Sequence, residues 1–280
     1  MKFNAIIAIL LLSICASAQT FDEKTTTASN VRLNVSNSGT YGNAFRGYRD
    51  GSGNPSAEYP AGSGIEHIFE SGIWFGGLIN GATVGVSTAA VDAPQGYKTG
   101  SAGFEFYPEI GAILKESSSL RNSPFYSPSA ISHQDFVAVY SDKNVQVPGT
   151  QTQIGSHTDP LFVEVTARTY NYNFSFSDFF VILDFDIENI GANTIDSAYF
   201  GLWANTVIRN INITPAGSGG AAFYNKGSNG YMDSLQMAYC YDHSGDVGFT
   251  ESYAAQKFLG AEDKNGFHTP INDARFKAHY

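Results

Sequence analysis

Apolar and polar positions alternate with a period of two along several stretches, most clearly from Phe179. Phe179, Val181, Leu183, Phe185 and Ile187 take one side, and Phe180, Ile182, Asp184, Asp186 and Glu188 take the other, which turns acidic halfway along. One apolar side at this period predicts a half-buried β-strand. Asn189-Ile190-Gly191-Ala192-Asn193 supplies turn residues, and a second β-rich run opens at Thr194. The pattern therefore predicts a hairpin at the heart of an antiparallel sandwich.

The same alternation predicts strands at 31–35, 136–140 and 162–172, where Val163, Val165, Ala167 and Thr169 oppose Glu164, Thr166, Arg168 and Tyr170. Residues 65–88 read as two or three strands around Asn80-Gly81, a strong hairpin signal. A strand is expected over 232–241, a strand or short helix over 253–259, and a short helical turn beginning at Ser132. Runs rich in Gly, Ser and Pro break the chain at 46–64, 89–103, 117–132, 145–160 and 210–230. Helical periodicity is nearly absent. The expected fold is all-β, an antiparallel β-sandwich of immunoglobulin-like type, in one or two modules with long loops. We divide it into a leader at 1–18, an N-terminal β module at 19–158 and an immunoglobulin-like module at 159–280.

The leader assignment comes from the first residues. Met1-Lys2, an apolar run at 5–12 and Ala16-Ser17-Ala18 form a basic start, a hydrophobic stretch and a cleavage pattern, which together read as a secretory signal peptide cut after Ala18. The run is too short to span a bilayer as a mature helix. The rival reading makes Cys15 a lipid-bearing residue, but Ile14 stands before it where a small residue is wanted. Cleavage leaves 15 basic and 26 acidic residues, a formal charge of −11. Such a chain makes a poor nucleic-acid partner, because phosphate binding needs a basic patch. Only Cys240 remains, so an intrachain disulfide has no second thiol.

Several stretches resemble a family of secreted proteins of Bacteroidetes-type bacteria: NVRLNVSNSGTYG at 30–42, EYPAGSGIEHIFESGIWFGGLING at 58–81, FYSPSAISHQDFVAVYSD at 125–142, DFFVILDFDIENIGANTIDSAYFGLWA at 178–204 and FYNKGSNGYMDSLQMAYCYDHSGDVG at 223–248. The resemblance covers most of the mature chain. It implies export by the type IX system and an address on the outer surface or in the medium, more than an activity. Such proteins usually end in a sorting domain, and Arg275-Phe276-Lys277-Ala278-His279-Tyr280 closes the chain without one. We therefore expect a fragment of a longer exported protein, with another export route as the alternative.

Candidate chemistry is sparse. Asp242, Ser244 and Asp246 place oxygen donors two residues apart, with Gly245 to turn the chain. This suits a calcium ion, although a polar turn has the same composition. Asp50-Gly51-Ser52-Gly53-Asn54 repeats that spacing in a more glycine-rich setting. Asp184, Asp186 and Glu188 share a strand side about 7 Å apart, a separation compatible with glycoside hydrolysis but also with a solvated face. His67 and His157 lack a recognisable nucleophile or a zinc motif. Cys240 lies in an apolar run and reads as a core residue. Trp74, Trp203, Tyr107 and Tyr239 are expected in the core, with a sugar-stacking platform as the alternative. Asp196-Ser197-Ala198 and Asp233-Ser234-Leu235 resemble an O-glycosylation acceptor pattern of such bacteria.

The expected function is that of a non-enzymatic surface or scaffold module with no membrane insertion after cleavage. Its partner would be a surface glycan or another cell-surface protein. The alternatives are a carbohydrate-binding or glycan-degrading part, which an exposed aromatic strip on one sheet face would favour, and a peptidase accessory region.

Overall fold

A computed structural model describes residues 21–43, 53–90, 103–109, 114–148, 150–155, 157–214, 227–243 and 249–269. These residues form seventeen strands: β1 Glu23–Thr25, β2 Arg32–Ser36, β3 Thr40–Tyr41, β4 Ala57–Glu58, β5 Ile65–Ile79, β6 Thr83–Thr88, β7 Tyr107–Pro108, β8 Lys115–Ser117, β9 Gln134–Ser141, β10 Val163–Asn171, β11 Val181–Asn189, β12 Ile195–Asn210, β13 Gly227–Met232, β14 Met237–Asp242, β15 Tyr253–Lys257, β16 Ala261–Asp263 and β17 Gly266–His268. The only described helix is one 3-10 turn, Asp233–Leu235, so the chain is all-β. No described helix is long and apolar enough to cross a membrane.

Two antiparallel sheets enclose the main core. The larger runs β1-β2-β3-β5-β12, with β4 against β2 and β5, and with β6 against β5. The smaller runs β11-β10-β9-β7, with β8 against β9. Leu33, Val35, Tyr41, Ile73 and Phe75 from the larger sheet meet Phe136, Ala138, Tyr140, Val163, Val165 and Ala167 from the smaller. In β10 every second residue is buried, as the alternation in its sequence requires. A third sheet, β13-β14-β15, and the hairpin β16-β17 follow. The boundary drawn at 158/159 falls between β9 and β10, which pair residue for residue, and β5 pairs with β12 across the same point.

The hairpin expected at 179–203 does not form, although both of its strands do. β11 pairs with β10 in the smaller sheet, and β12 pairs with β5 in the larger. The turn residues between them make an arch from one sheet to the other. Asn189 shapes it by donating to the Asn193 carbonyl and accepting from the Gly191 amide. Asn80 anchors its far end, because its Oδ1 accepts from the Thr194 amide. Turn chemistry dictates that the chain reverses; it does not say whether the returning strand joins the same sheet. The Asn80-Gly81 hairpin does form, between β5 and β6, with both residues at positive φ (51° and 70°) as a type I′ turn needs.

Two smaller expectations also change. Ser132 begins no helical turn: the Asp135 carboxylate accepts the Ile131 and Ser132 amides, and β9 starts at once. The run 232–241 is not one strand, since Asp233–Leu235 folds as the turn between β13 and β14.

A buried polar lock joins the two layers. Asp142, just past β9, accepts the Ser87 hydroxyl (2.7 Å) from β6 and the amides of Leu161 and Val163 (2.8 Å each). His157 lies beside it, with Nε2 2.6 Å from the Asp142 carbonyl and Nδ1 3.3 Å from the Val86 carbonyl.

Candidate functional site

Ile73 and Phe75 point into the core, so Gly72, Trp74 and Gly76 alternate onto the outer face of the larger sheet. The register of β12 sets Trp203 opposite Gly72, Gly201 opposite Trp74 and Tyr199 opposite Gly76. Aromatic and glycine therefore alternate along each strand and across the pair. Tyr199 and Trp203 lie about 13 Å apart along β12, with Gly201 midway. Trp74 is 47% exposed and Tyr199 is 74% exposed, while Trp203 is half-buried. On β6, Val84 and Val86 extend the exposed apolar surface opposite Leu78 and Gly76.

The glycines differ in what surrounds them. At Gly72 the backbone of Ala89 and Ala90 crosses so closely that no Cβ fits. Gly230 of β13 is covered by the ring of Tyr239, whose hydroxyl oxygen would lie 2.6 Å from an added Cβ. Among the described residues, Gly201 has no heavy atom within 4 Å of a Cβ position, and it does not adopt a positive φ. Neither packing nor backbone conformation calls for glycine there. A strand-interior glycine with no fold-level reason marks a place where a ligand or another backbone comes close. The result is a bare floor at Gly201, with Trp74 across from it and Tyr199 and Trp203 on either side.

The four aromatic residues expected in the core are thus placed otherwise. Trp74 and Trp203 share this outer face. Tyr107 lies in β7 of the smaller sheet and Tyr239 in β14 of the third, both half-buried. Trp74 sits in the unbroken apolar run Ile73-Trp74-Phe75, and such a run hides which side each residue takes. Tyr199 and Gly201 were not among the candidate residues, although the spacing Tyr199-x-Gly201-x-Trp203 on a strand was a readable signal.

The acidic row stands on the other side of the sandwich. Val181, Leu183, Phe185 and Ile187 pack toward the core, so Asp184, Asp186 and Glu188 project from the outer face of the smaller sheet. Arg168 reaches both aspartates, Asp184 at 3.5 Å and Asp186 at 3.3 Å.

The two histidines have defined partners. Nε2 of His67 is 2.5 Å from the Ser252 hydroxyl and Nδ1 is 3.2 Å from the Ala57 carbonyl. Burial holds the imidazole below its ordinary pKa, so the neutral ring donates from Nδ1 and accepts from Ser252. A carbonyl rather than a carboxylate stands behind the ring, unlike a serine-protease triad. The contact pins the segment before β15 to β5. His157 spends both nitrogens on carbonyl oxygens of the polar lock.

Of the calcium candidates, Asp242 is the last residue of β14, buried, with Oδ2 accepting the Thr250 amide at 3.3 Å. Ser244 and Asp246 lie outside the described residues, as do Asp50, Gly51 and Ser52. Among the described residues no three His, Cys, Asp or Glu side chains converge as a metal site would require. Cys240 is buried, and burial raises its thiol pKa. Ser197 and Ser234 are both exposed, Ser197 at positive φ beside a bulge in β12. Compared with family models, curated proteins and solved structures, the chain finds no match.

Proposed function

We propose that this chain is a non-catalytic β-sandwich module of an exported protein, and that it binds carbohydrate chains on the outer face of its larger sheet. One observation carries the reading: the uncovered glycine floor at Gly201, bordered by Trp74, Tyr199 and Trp203. A pyranose ring has an apolar face of C–H groups and a rim of hydroxyls. Broad aromatic side chains offer matching apolar area, and a bare floor lets the sugar lie close to the sheet. Exposed aromatic side chains clustered on one sheet face are what an interaction site presents.

Binding is favoured over hydrolysis because the paired carboxylates project from the opposite face of the sandwich, where Arg168 engages both aspartates. Export rests on the signal-peptide pattern at 1–18 and on the family resemblance, and it places the module on the outer surface or in the medium, where glycans are abundant. The test is a screen of residues 19–280 against soluble and immobilised glycans, followed by calorimetry on the hits. The reading expects saturable binding that falls at least about tenfold in Trp74→Ala and in Tyr199→Ala, or ~1.4 kcal/mol each. Absence of binding across the screen, or binding that both variants retain in full, would overturn it.

A further inference from the structure

β12 is the last strand of the larger sheet, and among the described residues its backbone pairs with β5 alone. Edge strands are open templates for pairing and are usually blunted by charge, proline, bulges or brevity. β11, the last strand of the smaller sheet, carries Asp184, Asp186 and Glu188. β12 keeps its charges, Asp196 and Arg209, and its register shifts toward its two ends, and leaves its middle without them. It is sixteen residues long, and residues 197–206, Ser-Ala-Tyr-Phe-Gly-Leu-Trp-Ala-Asn-Thr, hold no charge and no proline. The third sheet lies against the far end of β12, where Thr206 bonds the Cys240 side chain and Val207 packs with Phe69. The stretch 198–204 precedes Thr206 and Val207 along β12.

The run is also chemically symmetric about Gly201. Phe200 mirrors Leu202, Tyr199 mirrors Trp203, and Ala198 mirrors Ala204. In an antiparallel pair of identical strands related by a two-fold axis, the residue n places before the axis meets the residue n places after it. With the axis at Gly201, Ala198, Tyr199 and Phe200 of one copy meet their own chemical class at Ala204, Trp203 and Leu202 of the other, and the match ends beyond this run, where Asp196 would face Thr206. Phe200, an inward residue still 36% exposed at this open side and tilted against Phe185 at 5.0 Å, would be covered by Leu202 of the second copy.

We propose that 198–204 is a homodimerisation edge, at which two copies of this chain pair antiparallel about Gly201 to form one continuous sheet. Because that axis is perpendicular to the sheet, both aromatic strips then lie on the same face. The inference rests on the edge and its symmetry and not on what the strip binds. Each copy has a formal charge of −11 once the leader is removed, and the axis brings the acidic β11 edges toward one another. Association therefore strengthens with added salt, which screens like charges.

The test is analytical ultracentrifugation of residues 19–280 over a wide range of concentration and ionic strength, with hydrogen exchange on the same samples. The expected result is a mass of twice the chain that halves on dilution, with the amides of 198–204 gaining protection as the dimer forms. Ala198→Lys, at an exposed edge position, should give a folded monomer. Val84→Lys, on β6 across β5 from this edge, should remain a dimer. Trp74→Ala should also remain a dimer, which separates edge pairing from stacking of two aromatic faces. A chain that is monomeric at every concentration and ionic strength would overturn the proposal, as would a dimer that Ala198→Lys leaves intact. Ala198→Lys should keep glycan binding per chain, so failure of the dimer and failure of the glycan reading give different results.

Discussion

Replacing Gly201 with valine separates a glycine kept for folding from one kept for binding. A glycine inside a strand costs about 0.5–1 kcal/mol relative to alanine, and β-branched residues stand higher again on a scale that spans ~1 kcal/mol. Among the described residues the space at Gly201 is empty to 4 Å, so valine meets no clash there that would offset this gain. Its partner across the strand is Trp74, and an aromatic–β-branched cross-strand pair adds roughly 0.2–1 kcal/mol. Gly201→Val is therefore expected to stabilise the fold by about 1 kcal/mol, raising Tm by roughly 2–4 °C for a chain of this size. The same side chain stands where the ligand should lie. Carbon atoms in contact sit about 3.5–4 Å apart, so a sugar resting on valine cannot also reach the floor between the rings. Binding should fall at least tenfold. The assays are paired: thermal unfolding and calorimetry with a glycan that the wild type binds. A drop in Tm would refute the open floor, and unchanged affinity would refute its use by the ligand.

Other predictions concern the frame that holds this face. Asp142→Ala leaves the Ser87 hydroxyl and two buried amides without their acceptor, so urea unfolding should show a loss of roughly 3–5 kcal/mol. The Glu105 carboxyl is 2% exposed, and burial pushes its pKa from 4.5 up to about 7. A raised carboxyl pKa favours the protonated folded form, so its contribution is complete below about pH 4.5 and is lost as pH rises through 7, by roughly 3 kcal/mol. Glu105→Gln should remove that fall, read as the difference in Tm from the wild type between pH 5 and 8. If Asp242, Ser244 and Asp246 bind calcium, the native state gains about 2.7 kcal/mol at a hundredfold excess over Kd. Asp242→Ala should then abolish the shift between calcium and chelator, and no shift in the wild type removes the loop as a cation site.

Much of the frame was legible before the structure. The alternation of β10 gave its buried side residue by residue, and Asn80-Gly81 gave the β5–β6 turn, because period and φ preference are local properties. Strand partnership is not local, which is why two well-marked strands joined by Asn189–Asn193 read as a hairpin when they belong to different sheets. The core of β5 hid for a related reason: in Ile73-Trp74-Phe75 all three residues are apolar, so composition assigned the tryptophan inward, and only the glycines at 72 and 76 mark its true side. The bare floor itself was invisible, since Gly72, Gly76 and Gly201 look alike in sequence. What separates them is their surroundings: the Ala89–Ala90 backbone crosses above Gly72, the neighbouring strand at Gly85 and Val86 touches Gly76, and among the described residues nothing comes within 4 Å of Gly201.

The chain contains two tryptophans, Trp74 and Trp203, and both belong to the proposed binding face, so intrinsic tryptophan emission reports on that face alone. The most direct test titrates residues 19–280 with a panel of soluble polysaccharides while following the emission maximum. A saturable blue shift, as sugar displaces water from the indole rings, is the predicted result, and Gly201→Val should abolish it. Emission that stays constant across the panel, or a shift that Gly201→Val leaves unchanged, would contradict the assignment of this face as the ligand site.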